Sequence, residues 1–173
     1  MSFAKHAQVY RALGAWPRPV RPGTKACHSK NWQLPDHELP PGTFRKWLDT
    51  CGHFGIGLLM GSPLPDDTRL GALDIDRNEY TALARTLLRN PVCGRIGEKG
   101  AVFFVRVRGD LGNPEFRVTG PEGKKWGKVA ECLFVKKLCV VPPTIHPNTH
   151  QPYRWIGTPL NEVDLLSLPL IGE

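Results

Sequence analysis

The sequence predicts an α+β fold, and three observations carry that prediction. Sustained helix-like spacing of apolar residues ends before Pro91, and the chain beyond it breaks into short apolar runs separated by Gly-, Pro- and Lys-rich turns. The 173 residues are enough for one well-packed domain and too few for two of ordinary size. The expected architecture is a mostly antiparallel mixed sheet flanked by helices, compact or two-lobed.

Taken in order, residues 3–13 place Phe3, Ala7 and Tyr10 at helical spacing, with Gly14 as the stop. Six prolines crowd residues 16–41 (Pro17, Pro19, Pro22, Pro35, Pro40 and Pro41), which predicts an ordered loop with short extended pieces. Thr43 is the expected cap of a short helix with Phe44, Trp47, Leu48 and Cys51 on its apolar face, and Gly52 ends it. Residues 55–60 and 70–76 read as strands, and the short turn between them predicts an antiparallel hairpin. A helix follows, with Tyr80, Leu83, Ala84, Leu87 and Leu88 on one stripe, closed by Asn90-Pro91. Strands are expected at 93–97, 101–107, 115–118, 128–134, 138–141 and 153–155, and a short helix at 161–166.

A formal charge of +7 and a pI near 9.4 favour a polyanionic partner, nucleic acid or nucleotide. No apolar run reaches bilayer length, and Met1-Ser-Phe-Ala-Lys-His6 lacks the order of a secretory signal, so an unexported, cytoplasmic protein without membrane contact is expected. Five cysteines without a pairing motif argue against a disulfide scaffold. Cys27-His28 and Cys51-x-His53 raise a zinc site, but neither pair has the usual two-to-four-residue spacer.

The chemistry centres on Leu73-Asp-Ile-Asp76. Side chains alternate along a strand, so Asp74 and Asp76 share one face roughly 7 Å apart, while Leu73 and Ile75 enter the other. Two carboxylates on one rigid edge suit Mg²⁺ or Mn²⁺, ions that take hard oxygen ligands, water and substrate phosphates.

Three ordered pieces resemble the primase-polymerase (bifunctional DNA primase/polymerase N-terminal) domains of the archaeo-eukaryotic primase superfamily, found in phage, plasmid and prophage replication proteins. Gly55-Ile-Gly-Leu-Leu-Met-Gly61 with Leu73-Asp-Ile-Asp76 is similar to that family's glycine-bounded strand and first metal motif. Lys128-Val-Ala-Glu131, followed by Val140-Val-Pro-Pro-Thr-Ile-His-Pro147 and Tyr153-Arg-Trp155, resembles its third motif. Trp16-Pro17, Arg21-Pro-Gly-Thr-Lys25 and Trp32 stand where such domains carry a Trp-Pro, Pro-Gly-Lys, Trp series. The middle motif departs from the pattern. Where typical members carry a strand histidine this chain has Val102, although Arg95-Ile-Gly, Lys99 and Arg106 are closer to some phage members.

The resemblance implies a compact primase-like catalytic domain over residues 1–173: helices and a Pro-rich loop at 1–54, a catalytic sheet at 55–160 and a tail at 161–173. It implies template-dependent nucleotidyl transfer, primase or DNA polymerase, with Asp74, Asp76 and Glu131 as catalytic metal ligands for Mg²⁺ or Mn²⁺. Arg95, Lys99, Arg106 and His146 are the expected nucleotide contacts, since guanidinium forks and ammonium groups neutralise phosphates. Arg21 and Lys25, in a basic segment with Arg18 and Lys30, are either template-backbone contacts or a solvated loop; Lys136 and Lys137 pose the same choice. Partners would be DNA template and primer, nucleoside triphosphates, and a helicase domain or protein. A divalent-metal nuclease could use the same carboxylates without the triphosphate pocket. A replication-initiator nickase would need a His-x-His pair that this sequence lacks. The alternative from another class is a non-catalytic nucleic-acid-binding replication accessory with a degenerate site, which Val102 favours.

Overall fold

The computed structural model describes residues 3–119 and 125–172, and its framework is two sheets with three α-helices. The smaller sheet has the order β1-β2-β8, from Trp16–Val20 (β1), Gly55–Leu59 (β2) and Leu138–Val141 (β8), all antiparallel. The larger runs β6-β7-β3-β5-β4-β9, from Glu115–Thr119 (β6), Lys125–Leu133 (β7), Arg69–Ile75 (β3), Ala101–Val107 (β5), Cys93–Ile96 (β4) and Arg154–Gly157 (β9). Its neighbours are antiparallel except Leu170–Ile171 (β10), which pairs parallel with the end of β5. This is the mixed, mostly antiparallel α+β arrangement that the sequence predicts.

Alternation on the central strands divides the interior in two. On one face of the large sheet, Leu70, Ala72, Val102, Phe104 and Leu133 pack with Ile56 and Leu58 of β2, Cys139 and Val141 of β8, and Phe3, Ala7 and Tyr10 of Phe3–Ala12 (α1). On the other, Ile75, Phe103, Val105, Ala130 and Cys132 pack with Ala84 and Leu88, from Thr81–Leu87 (α3) and its C-terminal cap. Residues 101–105 are buried on both faces, which explains why they read as an unbroken apolar run.

Several local expectations are corrected. β2 and β3 form no hairpin, because Gly61, at φ +101°, turns the chain out of the small sheet; its N–H donates to the Leu70 carbonyl at 2.8 Å, and the strands join different sheets. Thr43–Thr50 (α2) is capped by Gly42 in the left-handed region, with no side-chain cap from Thr43. The proline-rich stretch contains the regular strand β1. It tolerates Pro17 and Pro19 because it is the sheet's edge, where a proline's missing N–H faces away from the partner strand. The terminal helix is two separate 3₁₀ turns, Leu160–Glu162 and Leu165–Ser167. On α3, Ala84 is buried but Leu83 and Leu87 are exposed, so the predicted stripe is only half covered.

Arg18, read as part of a basic surface segment, is fully buried. Its guanidinium donates to the carbonyls of Trp32 and Leu34 at 2.7 and 2.6 Å and to Asp36 at 2.7 Å, fastening the loop after β1. His28 and His53 set their rings edge-on to Phe54 at 5.2 and 4.8 Å, and Cys51 is buried at the end of α2. No described helix is long and apolar enough to cross a membrane.

Candidate active site

Strand register assembles the site. In the pairing of β3 with β7, Asp74 lies directly opposite Glu131, and in the pairing of β3 with β5 it lies opposite Val102, which in turn faces Arg95 on β4. Directly paired residues share a face, so Glu131, Asp74, Val102 and Arg95 form one row across the sheet, with Cβ atoms about 5 Å apart at each step. Asp76 follows the end of β3 and is tied down by its N–H, which donates to the Val129 carbonyl at 2.9 Å.

The row opens into a cavity of about 310 Å³ lined by Asp74, Asp76, Glu131, Arg95, Lys99, Lys137, His146 and Lys25. Of the residues the sequence singles out, the structure brings these eight together. Arg106 is not among them. It shares the face of Val102 but lies four residues further along β5, roughly 13 Å away at strand rise. Its guanidinium pairs with Asp66 and donates from Nε to the Leu168 carbonyl at 3.0 Å, so it secures the C-terminal segment instead of reaching the cavity. Arg21 and Lys136 are exposed and do not line the cavity. The Lys136 carbonyl accepts a hydrogen bond from Gln33 Nε2 at 3.2 Å.

A β-bulge sets the electrostatics. Phe116 pairs with Ala130 and Arg117 with Lys128, leaving Val129 as an extra residue on β7. The extra residue breaks the alternation: Val129 and Ala130 both line the apolar groove on the α3 side, and Lys128 turns back to the face of Glu131. Lys128 Nζ donates to Glu131 Oε2 at 2.6 Å and stands 3.4 Å from Asp76 Oδ2, while Lys137 Nζ donates to Glu131 Oε1. This lysine was not singled out from the sequence, because strand parity places residues 128 and 131 on opposite faces.

Titration follows these contacts. Burial raises the pKa of Asp74 above the usual carboxylate value, with Asp76 and Glu131 adding to the rise and Arg95 and Lys128 opposing it. At Glu131 burial also favours the neutral acid, but the hydrogen bonds from Lys128 and Lys137 outweigh it and lower the pKa. Lys128 is the converse: burial works against its charge, and Glu131 and Asp76 overcome it, so its pKa is raised.

The opposite wall is cationic. The Arg95 guanidinium lies over the Tyr153 ring, 4.6 Å from its centroid, and burial raises the Tyr153 pKa to about 12. His146 is presented by the Pro-Pro-Thr-Ile-His loop. Thr144 anchors that loop on β2, accepting from the Ile56 N–H at 2.6 Å and donating to the Ile56 carbonyl at 2.9 Å. A Cβ at Gly55 would come within 2.5 Å of Thr144, which explains the glycine at the head of β2. His146 Nδ1 accepts from the N–H groups of Asn148 and Thr149 at 3.3 and 3.4 Å, so the neutral ring carries its proton on Nε2. Burial, then the nearby Lys25, lowers the His146 pKa and favours that neutral form.

A family model for bifunctional DNA primase/polymerase, N-terminal (Prim-Pol) matches residues 7–170. The chain belongs to this family. No curated protein matches the chain significantly. For a Prim-Pol domain, nucleotidyl transfer in replication is the activity the family implies, with nucleic acid and nucleotides as partners and divalent metals in general use.

Among the described residues, no three His, Cys, Asp or Glu side chains stand in a metal-holding arrangement. Both oxygens of Glu131 are turned to lysines. The donor chemistry nevertheless fits a hard divalent cation: three carboxylates line one cavity, and buried Asp76 Oδ2 makes no hydrogen bond, with only the Lys128 ammonium 3.4 Å away.

Proposed function

We propose that this domain is a template-dependent nucleotidyltransferase, a primase or DNA polymerase of phage, plasmid or prophage replication, working by two-metal carboxylate chemistry in the cytoplasm. One observation carries the reading. Among the described residues, two of the four buried side-chain atoms without a hydrogen-bond partner are Asp76 Oδ2 and Arg95 Nε, a carboxylate oxygen and a guanidinium nitrogen that belong to residues lining one cavity. Buried polar atoms are normally hydrogen-bonded, so an anionic group with only the Lys128 ammonium 3.4 Å away and a cationic group with an unused donor, in one cavity, support a ligand carrying both charges, as a metal-bound triphosphate does.

The Asp74, Asp76 and Glu131 carboxylates would hold Mg²⁺ or Mn²⁺, ions that activate a primer 3′-hydroxyl and neutralise the departing pyrophosphate. The chain's own residues do the rest. Arg95, braced by Tyr153, offers donors to phosphate oxygens, and Lys99 adds charge from the turn between β4 and β5. Neutral His146 directs its Nε2 proton at a phosphate or sugar oxygen. Arg21, Lys25 and Lys136 supply template-backbone charge at or beyond the cavity mouth. Arg106 has no part in this scheme.

The test is an incorporation assay on primed and unprimed templates, with ribo- or deoxyribonucleotides, in Mg²⁺ or Mn²⁺. Incorporation that Asp74→Ala or Asp76→Ala lowers at least 10³-fold is the expected result. The non-catalytic reading draws on Val102, which is fully buried between Asp74 and Arg95, at the place of the usual histidine. DNA binding without metal-dependent incorporation, unchanged in Asp74→Ala, would establish that reading instead.

A further inference from the structure

Charge balance at the corner singles out two lysines. Asp74, Asp76, Glu98 and Glu131 face Lys25, Arg95, Lys99, Lys137 and the bulge residue Lys128, four acids against five bases, so the nucleotide-free site already holds slightly more positive than negative charge. A bare divalent cation entering it would meet ammonium groups on both oxygens of Glu131, one of them 3.4 Å from Asp76 Oδ2. A metal that arrives on a triphosphate brings net negative charge instead. Its phosphate oxygens can accept the same N–H donors that the lysines now give to Glu131.

We propose that Lys128 and Lys137 form an exchangeable clamp on Glu131, which shields the metal corner until a metal–triphosphate complex arrives and then transfers to its phosphates. Resting on the two-metal reading above, this makes the two lysines positioning residues that couple metal entry to nucleotide entry. The structure supplies what the exchange requires. Both side chains are partly exposed and long, so they can swing without disturbing packing. Lys137 is held at its backbone, where its carbonyl accepts from the Met60 N–H at 2.8 Å, leaving the side chain to move alone. Lys128 owes its place to the bulge at Val129, a device that re-aims a side chain.

The experiment uses the full chain and two probes. Mn²⁺ binding without nucleotide is followed by the loss of the free-ion paramagnetic resonance signal, and binding of a fluorescent deoxynucleoside triphosphate in Mg²⁺ is followed by anisotropy. Wild type, Lys128→Met, Lys137→Met and the double variant are compared, each shown to be folded by its melting curve; the single variants keep one lysine on Glu131 should the double variant fold poorly. The clamp predicts opposite movements: Mn²⁺ binds about tenfold or more tighter in the variants, and the triphosphate about tenfold or more weaker. Lysines that merely held the site in shape would weaken both, and that result overturns the proposal. Equal Mn²⁺ affinity in all the proteins, with Asp76→Asn weakening it, overturns the clamp and leaves the metal reading standing. Mn²⁺ binding in none of them, including the double variant, overturns both.

Discussion

Asp74 and Glu131 face each other across β3 and β7, yet the corner moves their pKa values in opposite directions. For Glu131 the folded value lies below 4.5, so its contribution to stability is present above pH 4.5 and is lost as pH falls through the folded value. For Asp74 the folded value lies above 3.8, so its ionised form costs stability at neutral pH, and that cost disappears as pH falls to 3.8. Asp74→Asn is therefore expected to stabilise the nucleotide-free protein by about 1 kcal/mol at pH 7, with a gain over wild type that narrows towards pH 4. Glu131→Gln should destabilise by a similar amount, since two partly buried lysines lose their anion. Urea melts of the three proteins across that range check both signs; a less stable Asp74→Asn at pH 7 would show that the carboxylate is held by partners instead of being strained. Arg18 makes a harsher case. Fully buried and bonded to two loop carbonyls and Asp36, it should cost about 3–5 kcal/mol when replaced by Met, measured as a lowered denaturation midpoint, because both carbonyls lose their donor and Asp36 keeps only Arg11, 3.4 Å away.

At the scale of the elements, what was legible in the sequence is what strand parity reports. Asp74 and Asp76 sharing a face, Glu131 on a strand of its own and His146 in a proline loop all follow from local pattern, and β3, β5 and β8 lie within a residue of their expected limits. Three things escaped, each because parity says nothing about it. The bulge at Val129 inverts parity for Lys128, and nothing local in Lys-Val-Ala-Glu announces an extra residue. Arg106 has the right parity but stands too far along β5, since alternation fixes the face and leaves the distance open. β2 and β3 read as a hairpin because a turn joins them, whereas the partners of β2 are β1 and the remote β8. The loop around Gly97 offers a test at this scale. A Cβ there would lie 2.7 Å from Tyr153 Cε1 and 3.0 Å from His146 Cδ2, two rings that line the cavity beside Arg95. Gly97→Ala is expected to displace them, weakening triphosphate binding tenfold or more while lowering stability by only about 1 kcal/mol, because the loop lies at the cavity rim and outside the main core. Unchanged nucleotide affinity in a folded Gly97→Ala protein would exclude His146 and Tyr153 from the binding wall.

Over the whole molecule, the large sheet separates two kinds of surface. The face bearing Asp74 and Arg95 opens into a charged cavity, whereas the α3 face is apolar and leaves Leu83, Leu87 and Phe116 exposed. With a net charge of +7, association with DNA is expected to be driven by counterion release, and the proposed backbone contacts are Arg21, Lys25 and Lys136. Each of these that touches a phosphate should, on mutation to Ala, reduce the slope of log affinity against log salt by about 1 and weaken binding alike for all sequences. Asp74→Ala should leave that slope unchanged, because a carboxylate facing the metal corner releases no counterion from DNA. Titrating a fluorescent single strand from 50 to about 200 mM salt separates the two classes. If Arg21→Ala, Lys25→Ala and Lys136→Ala all keep the wild-type slope, the strand does not run past the cavity mouth. The basic charge then serves the triphosphate through Arg95, Lys99 and Lys137, and the polyanion that the composition anticipates is the nucleotide alone.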